Sequence, residues 1–409
     1  MPCCFQSFCC CRFSRAYKYL SICAVLETSC SQVCSQCCAC SARPRRTGMP
    51  AVAGSLYMAS QKKGVPLLPR PPVRPLPVIN LSRLTMDSAS RALAVQDIVS
   101  ACRQRGCFQV SAAYLSPCII LCLSSNTCQF ASTPHLHVVS HGISKSCMKG
   151  ALEAASEFFQ LSTEHKEEFA SDDIRQPIRY DTSSRDGISM SRSFLKHYAN
   201  PLDDWIKFWP TQPPTYREKM GKYAVETQRV SMQLMEAILQ GLGLGPLYLQ
   251  EKLEGGVQFM ALNNYPQSAS KTTDEIGLAP HSDYGFLTIL LQSSPGLEVM
   301  HHDDDAWTPV PAIPGALHVH VGDHLEVLSN GQLKSLVHRA VLNLIESRIS
   351  IASIHGLSMD EEVHCAEELV DEHHPKMYRG SSFQDFLNFL PANMNKYKRF
   401  VESLRIDKP

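Results

Sequence analysis

Hydrophobic residues recur at the spacing of an amphipathic helix in three segments of the chain. The first segment covers residues 88–104 and is followed by Gly106, a residue type that commonly ends helices. The second segment covers residues 147–161, and the third, residues 216–241, is the longest. The pattern therefore predicts a mainly helical N-terminal region.

From residue 256 onward the pattern changes to short apolar segments separated by clusters of Pro, Gly, Asn and Asp. Asn330-Gly331 is typical of a tight turn between two such segments. Because no helical segment separates them, we expect an antiparallel barrel or jelly roll. A helical pattern returns over residues 382–404. The predicted strands cover residues 257–264, 286–292, 297–300, 317–321, 325–328, 335–343 and 348–355.

Two segments depart from this pattern. Residues 1–57 lack a sustained apolar period and contain most of the cysteines. We interpret them as a disordered, cysteine-rich extension or as sequence translated from a wrong start, with a metal clip or palmitoylation as the functional alternatives. Residues 111–137 lack any period and interrupt a strand that would otherwise run from Gly106 to Ile143. This interruption indicates an in-frame insertion, for example a retained intron.

The composition narrows the choice of partners and compartment. The chain contains 39 basic and 39 acidic residues, so its formal net charge is zero and gives no electrostatic basis for binding nucleic acid or an anionic membrane. No apolar run approaches the ~20 residues of a membrane-spanning helix. Outside residues 1–57 and 111–137 few of the 18 cysteines remain, which favours a reduced cytoplasmic protein over a secreted disulfide scaffold. We expect a monomer without nucleic-acid or membrane partners.

Candidate metal ligands lie in the predicted β region. His281 and Asp283 are two residues apart, so on a strand their side chains point to the same face. His338, on a later predicted strand, is the candidate third ligand. Two histidines and one carboxylate leave three positions open on an octahedral metal, an arrangement that suits non-haem Fe(II). The alternative is that these residues are polar surface residues.

Two other histidine clusters are interpreted as residues without a metal ion. His318 and His320 share one face of a predicted strand, and we favour satisfied or exposed strand histidines over a second metal site there. The run from His301 to Asp305 is typical of a solvated hairpin tip. Neither cluster changes the choice of candidate ligands.

Arg348 and Ser350 form a candidate anion site ten residues after His338. The period of a strand puts both side chains on one face. A guanidinium group inside a barrel is costly unless an anion satisfies it, and a small dicarboxylate matches its bidentate geometry. The alternative is that Arg348 pairs with Glu346 at the surface.

These residues, in this order, resemble the plant-type Fe(II)- and 2-oxoglutarate-dependent dioxygenases. The resemblance covers roughly residues 64–405 without the 111–137 segment. The chain departs from the family pattern at Asn80, where Asp is usual, and at Gln267 and Ser268, where a proline and a cysteine are usual. The principal matching motifs are Asn263-Asn-Tyr265-Pro266, Pro280-His-Ser-Asp-Tyr284, Lys334-Ser-Leu-Val-His-Arg339 and Arg348-Ile-Ser350.

The resemblance implies an α+β fold with a double-stranded β-helix (jelly-roll) core, flanked by helices. It implies oxidation, usually hydroxylation, of a small aromatic plant metabolite, with release of succinate and CO2 and with ascorbate as a supporting reductant. The implied Fe(II) ligands are His281, Asp283 and His338. The implied 2-oxoglutarate residues are Arg348, Ser350, Tyr265 and Asn263.

Two functional alternatives stay open: a related non-haem iron oxidase that does not use 2-oxoglutarate, and a product that the insertion leaves without catalytic activity. The identity of the substrate depends on loops around residues 175–200 and on the C-terminal helix.

This interpretation divides the chain into five parts. They are the extension 1–57, the N-terminal dioxygenase region 58–213, a long supporting helix within 214–255, the catalytic core 256–360 and a C-terminal helical segment 361–409.

Overall fold

The structure of the chain is a computed structural model. The predictions for residues 1–57, for the hairpin tip at residues 301–305 and for nearly all of residues 111–137 lie outside the described residues. The described residues are 76–111, 141–182, 191–269, 275–300, 306–393 and 398–406.

Two β-sheets form the centre of the described chain. The larger sheet has the strand order β1-β2-β10-β7-β12-β5-β4-β3 and is antiparallel except for the β1–β2 pair. The smaller sheet has the order β6-β11-β8-β9 and is antiparallel throughout. The strands are β1 Val78–Ile79, β2 Cys107–Ser111, β3 Ile178–Thr182, β4 Ser193–Asn200, β5 Gln258–Tyr265, β6 Ile276–His281, β7 Leu287–Gln292, β8 Leu297–Met300, β9 Trp307–Pro309, β10 Ala316–Val321, β11 His338–Val341 and β12 Arg348–His355.

Helices cover the outer face of the larger sheet. The helical predictions for residues 88–104, 147–161 and 216–241 correspond to α1, α2 and α5, and α5 contacts both of the others. Among the described residues, no helix is long and apolar enough to cross a membrane. The helices are α1 Ser88–Arg105, α2 Lys145–Phe159, α3 Thr163–Glu167, α4 Leu202–Trp205, α5 Tyr216–Gly241, α6 Gln250–Glu254, α7 Asp323–Leu328, α8 Phe383–Asn393 and α9 Phe400–Ser403.

Strand alternation separates the two faces of the larger sheet. On β12, Ser353 faces α5: the Gln258 side-chain amide donates to Ser353 Oγ at 2.8 Å and to the carbonyl of Ala224 on α5 at 3.0 Å. Residues at the intervening positions face the other way, toward the smaller sheet. Register aligns these inner residues in rows across β4, β5, β12 and β7. Two such rows are Phe194–Asn263–Ser350–Gln292 and Lys196–Ala261–Ala352–Leu290.

One predicted strand is wrong. Residues 325–328 belong to α7, which begins after Gly322, where a Cβ atom would lie 2.2 Å from the carbonyl oxygen of Gly285. Every residue of α7 is buried, so this short apolar run carries no periodicity that distinguishes a helix from a strand. Asn330 and Gly331 have positive φ angles of 48° and 77°, as predicted for a tight turn, but they follow the end of α7 rather than join two strands.

Candidate metal centre

The smaller sheet brings the three candidate ligands together. His338, the first residue of β11, pairs directly with His281, the last residue of β6, and Asp283 follows two residues later. Asp283 Oδ1 lies 3.7 Å from His281 Nε2 and 3.9 Å from His338 Nε2. The three ligand atoms all lie within 4.8 Å of one another, so one ion can contact all of them.

The two histidines are oriented for binding through Nε2. Their Nδ1 atoms lie 2.9 Å from the Ala279 carbonyl oxygen and 3.3 Å from that of Leu336, respectively. A hydrogen bond from Nδ1–H to a carbonyl fixes the tautomer that leaves Nε2 free as a ligand. Two imidazole nitrogens and one carboxylate oxygen suit Fe(II) and leave open positions for a co-substrate and O2.

The electrostatics favour the protonation states that a metal requires. Burial and the neighbouring His338 lower the pKa of His281 to about 3, and burial lowers the pKa of His338 to about 4. Burial raises the pKa of Asp283, but the surrounding histidines outweigh this effect and hold that pKa well below its usual range. Neutral imidazoles and an ionised carboxylate are the forms that bind a metal ion.

Two residues that sequence reasoning missed support Asp283. Thr288 Oγ1 donates to Asp283 Oδ2 at 2.6 Å, and His320 Nδ1 lies 3.7 Å from the same oxygen. Thr288 and His320 are direct partners in the β7–β10 register. His320 is therefore a buried neighbour of the metal centre rather than an ordinary strand histidine. The only sequence signal was that His320 shares a strand face with His318.

We expect Thr288→Val to weaken metal binding by about 10-fold, because the donor that orients the second Asp283 oxygen is lost while the side-chain shape is kept. Anaerobic calorimetric titration with Mn(II) measures this change in affinity. Thr85→Val is the matched control, since the Thr85 hydroxyl also donates a 3.0 Å hydrogen bond but lies outside the site. Equal affinity in the Thr288 variant and the wild type would contradict a role for Thr288.

The four candidate co-substrate residues are two cross-strand pairs. Arg348 on β12 pairs with Tyr265 on β5, and Ser350 pairs with Asn263. The Arg348 Cζ atom lies 5.1 Å from the centroid of the Tyr265 ring. The sequence motifs RxS and NxY therefore meet at one place because they lie on neighbouring antiparallel strands.

Arg348 is buried with part of its guanidinium group unsatisfied. Only 2 % of the residue is exposed, which excludes the alternative of a surface pair with Glu346. Nε donates to the Ser294 carbonyl at 3.1 Å and Nη2 donates to Gln292 Oε1 at 2.9 Å. Nη1 is buried and has no hydrogen-bond partner among the described residues. A buried, unsatisfied donor of a cation fits a carboxylate ligand.

A cavity of about 350 Å³ joins the metal centre to the anion site. His281, Asp283, His338, Arg348 and Ser350 all line it. The region expected to contact substrate contributes to its wall, both from the loops and strands between residues 174 and 196 and from the C-terminal helix. Aromatic and cationic residues of the cavity wall include Phe259, Tyr284, Phe383, Phe386, Arg192 and Lys196.

Two family models match separate regions of the chain. The model of the 2OG-Fe(II) oxygenase superfamily matches residues 256–356. The model described as the non-haem dioxygenase in morphine synthesis N-terminal region matches residues 130–212. The first match contains all seven candidate site residues.

Curated relatives cover the chain more fully. Rice (Oryza sativa subsp. japonica) 2-oxoglutarate-dependent dioxygenase 21, chloroplastic, is 84 % identical over 88 % of this chain and 100 % of the relative. Rice flavanone 3-dioxygenase 3 is 54 % identical over 85 % of this chain and 100 % of the relative. The predicted family, enzyme class and use of iron with 2-oxoglutarate are confirmed.

Solved structures confirm the predicted fold. The crystal structure of JOX2 in complex with 2OG, Fe and JA has a TM-score of 0.65 and 26 % identity over 85 % of this chain and 96 % of that chain. The rice dioxygenase for auxin oxidation has a TM-score of 0.64 at 23 % identity, over 81 % of this chain and 100 % of that chain. The α+β jelly-roll assignment is therefore correct.

The predicted compartment is wrong. The relative at 84 % identity is named as chloroplastic, which contradicts the expectation of a cytoplasmic enzyme. That expectation rested on cysteine content, which argues against an oxidising compartment but does not choose among reducing ones. The roles of individual site residues, the division into domains, the monomeric state and the absence of nucleic-acid and membrane partners stay predictions.

Proposed function

Because this chain belongs to the 2-oxoglutarate- and Fe(II)-dependent oxygenase superfamily, we propose that His281, Asp283 and His338 hold its Fe(II). Arg348 and Ser350 bind the distal carboxylate of 2-oxoglutarate, and Tyr265 and Asn263 line the same site. The enzyme hydroxylates a small aromatic plant metabolite, with release of succinate and CO2.

One observation supports this assignment above the others. The converging ligand atoms and the unsatisfied Nη1 of Arg348 lie in the wall of a single cavity. A metal site alone would suit many proteins, and a buried arginine alone would suit many anions. Their combination suits a co-substrate that presents one carboxylate to the metal and another to a guanidinium group. The same combination argues against the oxidase that does not use 2-oxoglutarate.

The protein residues contribute binding geometry and exclusion of water. His281 and His338 present Nε2, while Thr288 fixes the rotation of the Asp283 carboxylate. Arg348 sets the position of the co-substrate along β12. Fe(II), when bound, activates O2 for coupled oxidation of 2-oxoglutarate and substrate. Stacking of Tyr284 on Phe383, with ring centroids 4.2 Å apart, closes the apolar side of the cavity.

The substrate side of the cavity combines aromatic walls with cationic side chains, among them Lys196. Lys196 Nζ lies 5.0 Å from the ring centroid of Phe194 and 5.8 Å from that of Phe259. Burial and the neighbouring Arg192 lower the pKa of Lys196 to about 7, and no described carboxylate forms an ion pair with it. In our proposal, Lys196 donates a hydrogen bond to an oxygen of a substrate whose ring packs against the aromatic walls.

The test of the proposed function is succinate release by the purified full chain. We expect release that requires Fe(II), 2-oxoglutarate and O2 together, and that increases when a substrate from a panel of flavonoids, indoles and terpenoid acids is added. Two results would contradict the proposal. One is succinate that carries no label when labelled 2-oxoglutarate is supplied, and the other is succinate release that iron chelation leaves unchanged. A chain without any iron-dependent release would support the alternative of a catalytically inactive product.

We expect Lys196→Met to raise the KM for an oxygen-bearing substrate from that panel by about 10- to 100-fold, because a hydrogen bond from a charged donor is lost. Methionine keeps the length and apolar stem of the lysine. Lys207→Met is the matched control, because Lys207 Nζ also lies over a phenylalanine ring, at 5.4 Å from the Phe208 centroid, but outside the cavity. An unchanged KM would remove Lys196 from the substrate site.

A further inference from the structure

The C-terminal segment carries an arginine that reaches the metal-binding region. Arg399 lines the cavity, and its neighbour Phe400 packs on α8 through Phe386 and Phe389, each with ring centroids 5.4 Å away. The Arg399 side chain is 19 % exposed, so most of it lies inside the protein. The resemblance to the family assigned no role to this residue.

The guanidinium group of Arg399 contacts both chain segments that carry the candidate ligands. Its Nε atom donates to Ser282 Oγ at 3.3 Å, and Ser282 lies between His281 and Asp283. Its Nη2 atom donates to Ser335 Oγ and lies 3.4 Å from the Ser335 carbonyl oxygen. Ser335 precedes His338 by three residues. One planar group therefore spans the two segments.

Two buried carboxylates lie close to this guanidinium group. Arg399 Nη2 lies 3.8 Å from Asp323 Oδ1 and 3.7 Å from Glu326 Oε2, and each of these acidic side chains is 1 % exposed. Glu326 Oε2 also accepts hydrogen bonds from the Ser335 backbone N–H at 2.8 Å and from Ser335 Oγ at 2.9 Å. The Asp323 backbone N–H donates to the Asp283 carbonyl at 2.8 Å. Arg399 is thus oriented by groups that themselves contact the ligand segments.

We propose that Arg399 is a positioning residue that holds the His281–Asp283 turn and the segment before His338 at a fixed separation, and that it links this separation to the C-terminal segment at the cavity wall. The inference rests on the proposed iron ligands. A planar fork with several donors can bridge the two serines, whereas a single ammonium group cannot occupy both positions at once. The charge alone would serve Asp323, Glu326 and Glu402, whose Oε1 lies 4.0 Å from Arg399 Nη1.

This difference between charge and geometry defines the test. Arg399→Lys keeps the positive charge beside Asp323 and Glu326 but removes the fork that spans Ser282 and Ser335. We expect its melting temperature to stay close to that of the wild type, while its Mn(II) affinity in anaerobic calorimetry falls by about 10-fold. Arg399→Gln, which loses the charge as well, is expected to lose both metal affinity and thermal stability.

Arg379→Lys is the matched control. Arg379 Nη2 donates to the Ser403 carbonyl at 3.2 Å, so it also holds the C-terminal segment, but it is exposed and none of its described contacts involves a ligand segment. The Mn(II) affinity of the Arg379→Lys variant should equal that of the wild type. Wild-type Mn(II) affinity in Arg399→Lys would overturn the inference, and so would equal losses in the Arg379 and Arg399 variants.

A wrong assignment of the iron ligands would give a different pattern of Mn(II) affinities from a wrong assignment of Arg399. If His281→Ala bound Mn(II) as tightly as the wild type, the ion would not occupy the His281–Asp283–His338 site and the proposed function would lose its metal centre. If His281→Ala abolished binding while Arg399→Lys left it unchanged, the metal centre would stand and the positioning role would fall.

Discussion

Replacing Asp283 with Asn is expected to reduce Fe(II)-dependent succinate release to background. The amide keeps the size of the side chain and can still accept the hydrogen bond from Thr288 Oγ1. The substitution removes the negative charge of Asp283, whose side chain is the only carboxylate in the three-ligand cluster. The two neutral histidines that remain give a weaker site with one additional open position, so the metal loses both affinity and fixed geometry.

Two measurements separate this effect from misfolding. The Asp283→Asn protein should melt cooperatively and retain a wild-type circular dichroism spectrum, while anaerobic calorimetry shows loss of Mn(II) binding. Asp371→Ala is the control: Asp371 is an exposed carboxylate that contacts a histidine, at 3.0 Å from His374 Nδ1, but lies away from the cavity. Full turnover in Asp283→Asn would refute the ligand assignment.

The candidate ligands could be chosen from sequence because strand periodicity puts His281 and Asp283 on one face, and the order of these residues, His338 and the Arg348–Ser350 pair resembles the family. His281 and Asp283 are two residues apart, and the prediction of a shared face does not depend on the register of the sheet. His338 was harder to place, since 57 residues separate it from His281. Only the direct β6–β11 pairing brings these two histidines together.

Residues that act through register or through distant segments could not be chosen in this way. Thr288 lies five residues after Asp283, and the β7–β10 register places His320 beside it, but no motif marks either residue. Arg399 lies 61 residues beyond His338 on a segment whose helical pattern predicted one helix where the structure has α8 and α9. Such contacts depend on tertiary packing, which the pattern of hydrophobic positions does not encode.

The compartment was missed for a different reason. The interpretation of residues 1–57 as a disordered, cysteine-rich extension leaves their composition out of the choice of compartment. Glu27 is the only acidic residue among them, whereas serine and arginine are frequent. This composition is typical of organelle transit peptides in general, mitochondrial as well as plastid, so it does not by itself choose a compartment.

Replacing Arg348 with Ala is expected to raise the KM for 2-oxoglutarate while leaving Mn(II) binding intact. The distal carboxylate would then enter a buried site without its charged partner, which typically costs about 2–5 kcal/mol, or roughly 30- to 4,000-fold in affinity. The cost is large here because the site is buried: Arg348 is 2 % exposed, and a carboxylate without a charged partner is costly in such a place.

A lysine at position 348 tests whether the affinity for 2-oxoglutarate depends on the charge of Arg348 or on the geometry of its guanidinium group. Arg348→Lys restores a positive charge but cannot donate to Ser294, Gln292 and a carboxylate in the same planar arrangement. We therefore expect Arg348→Lys to recover only part of the lost affinity. Arg339→Lys is the control, since Arg339 also lines the cavity but already pairs with Glu298 at 2.7 Å. An unchanged KM in Arg348→Ala would move the anion site elsewhere in the cavity, and the basic residue Arg192 would be the next to substitute.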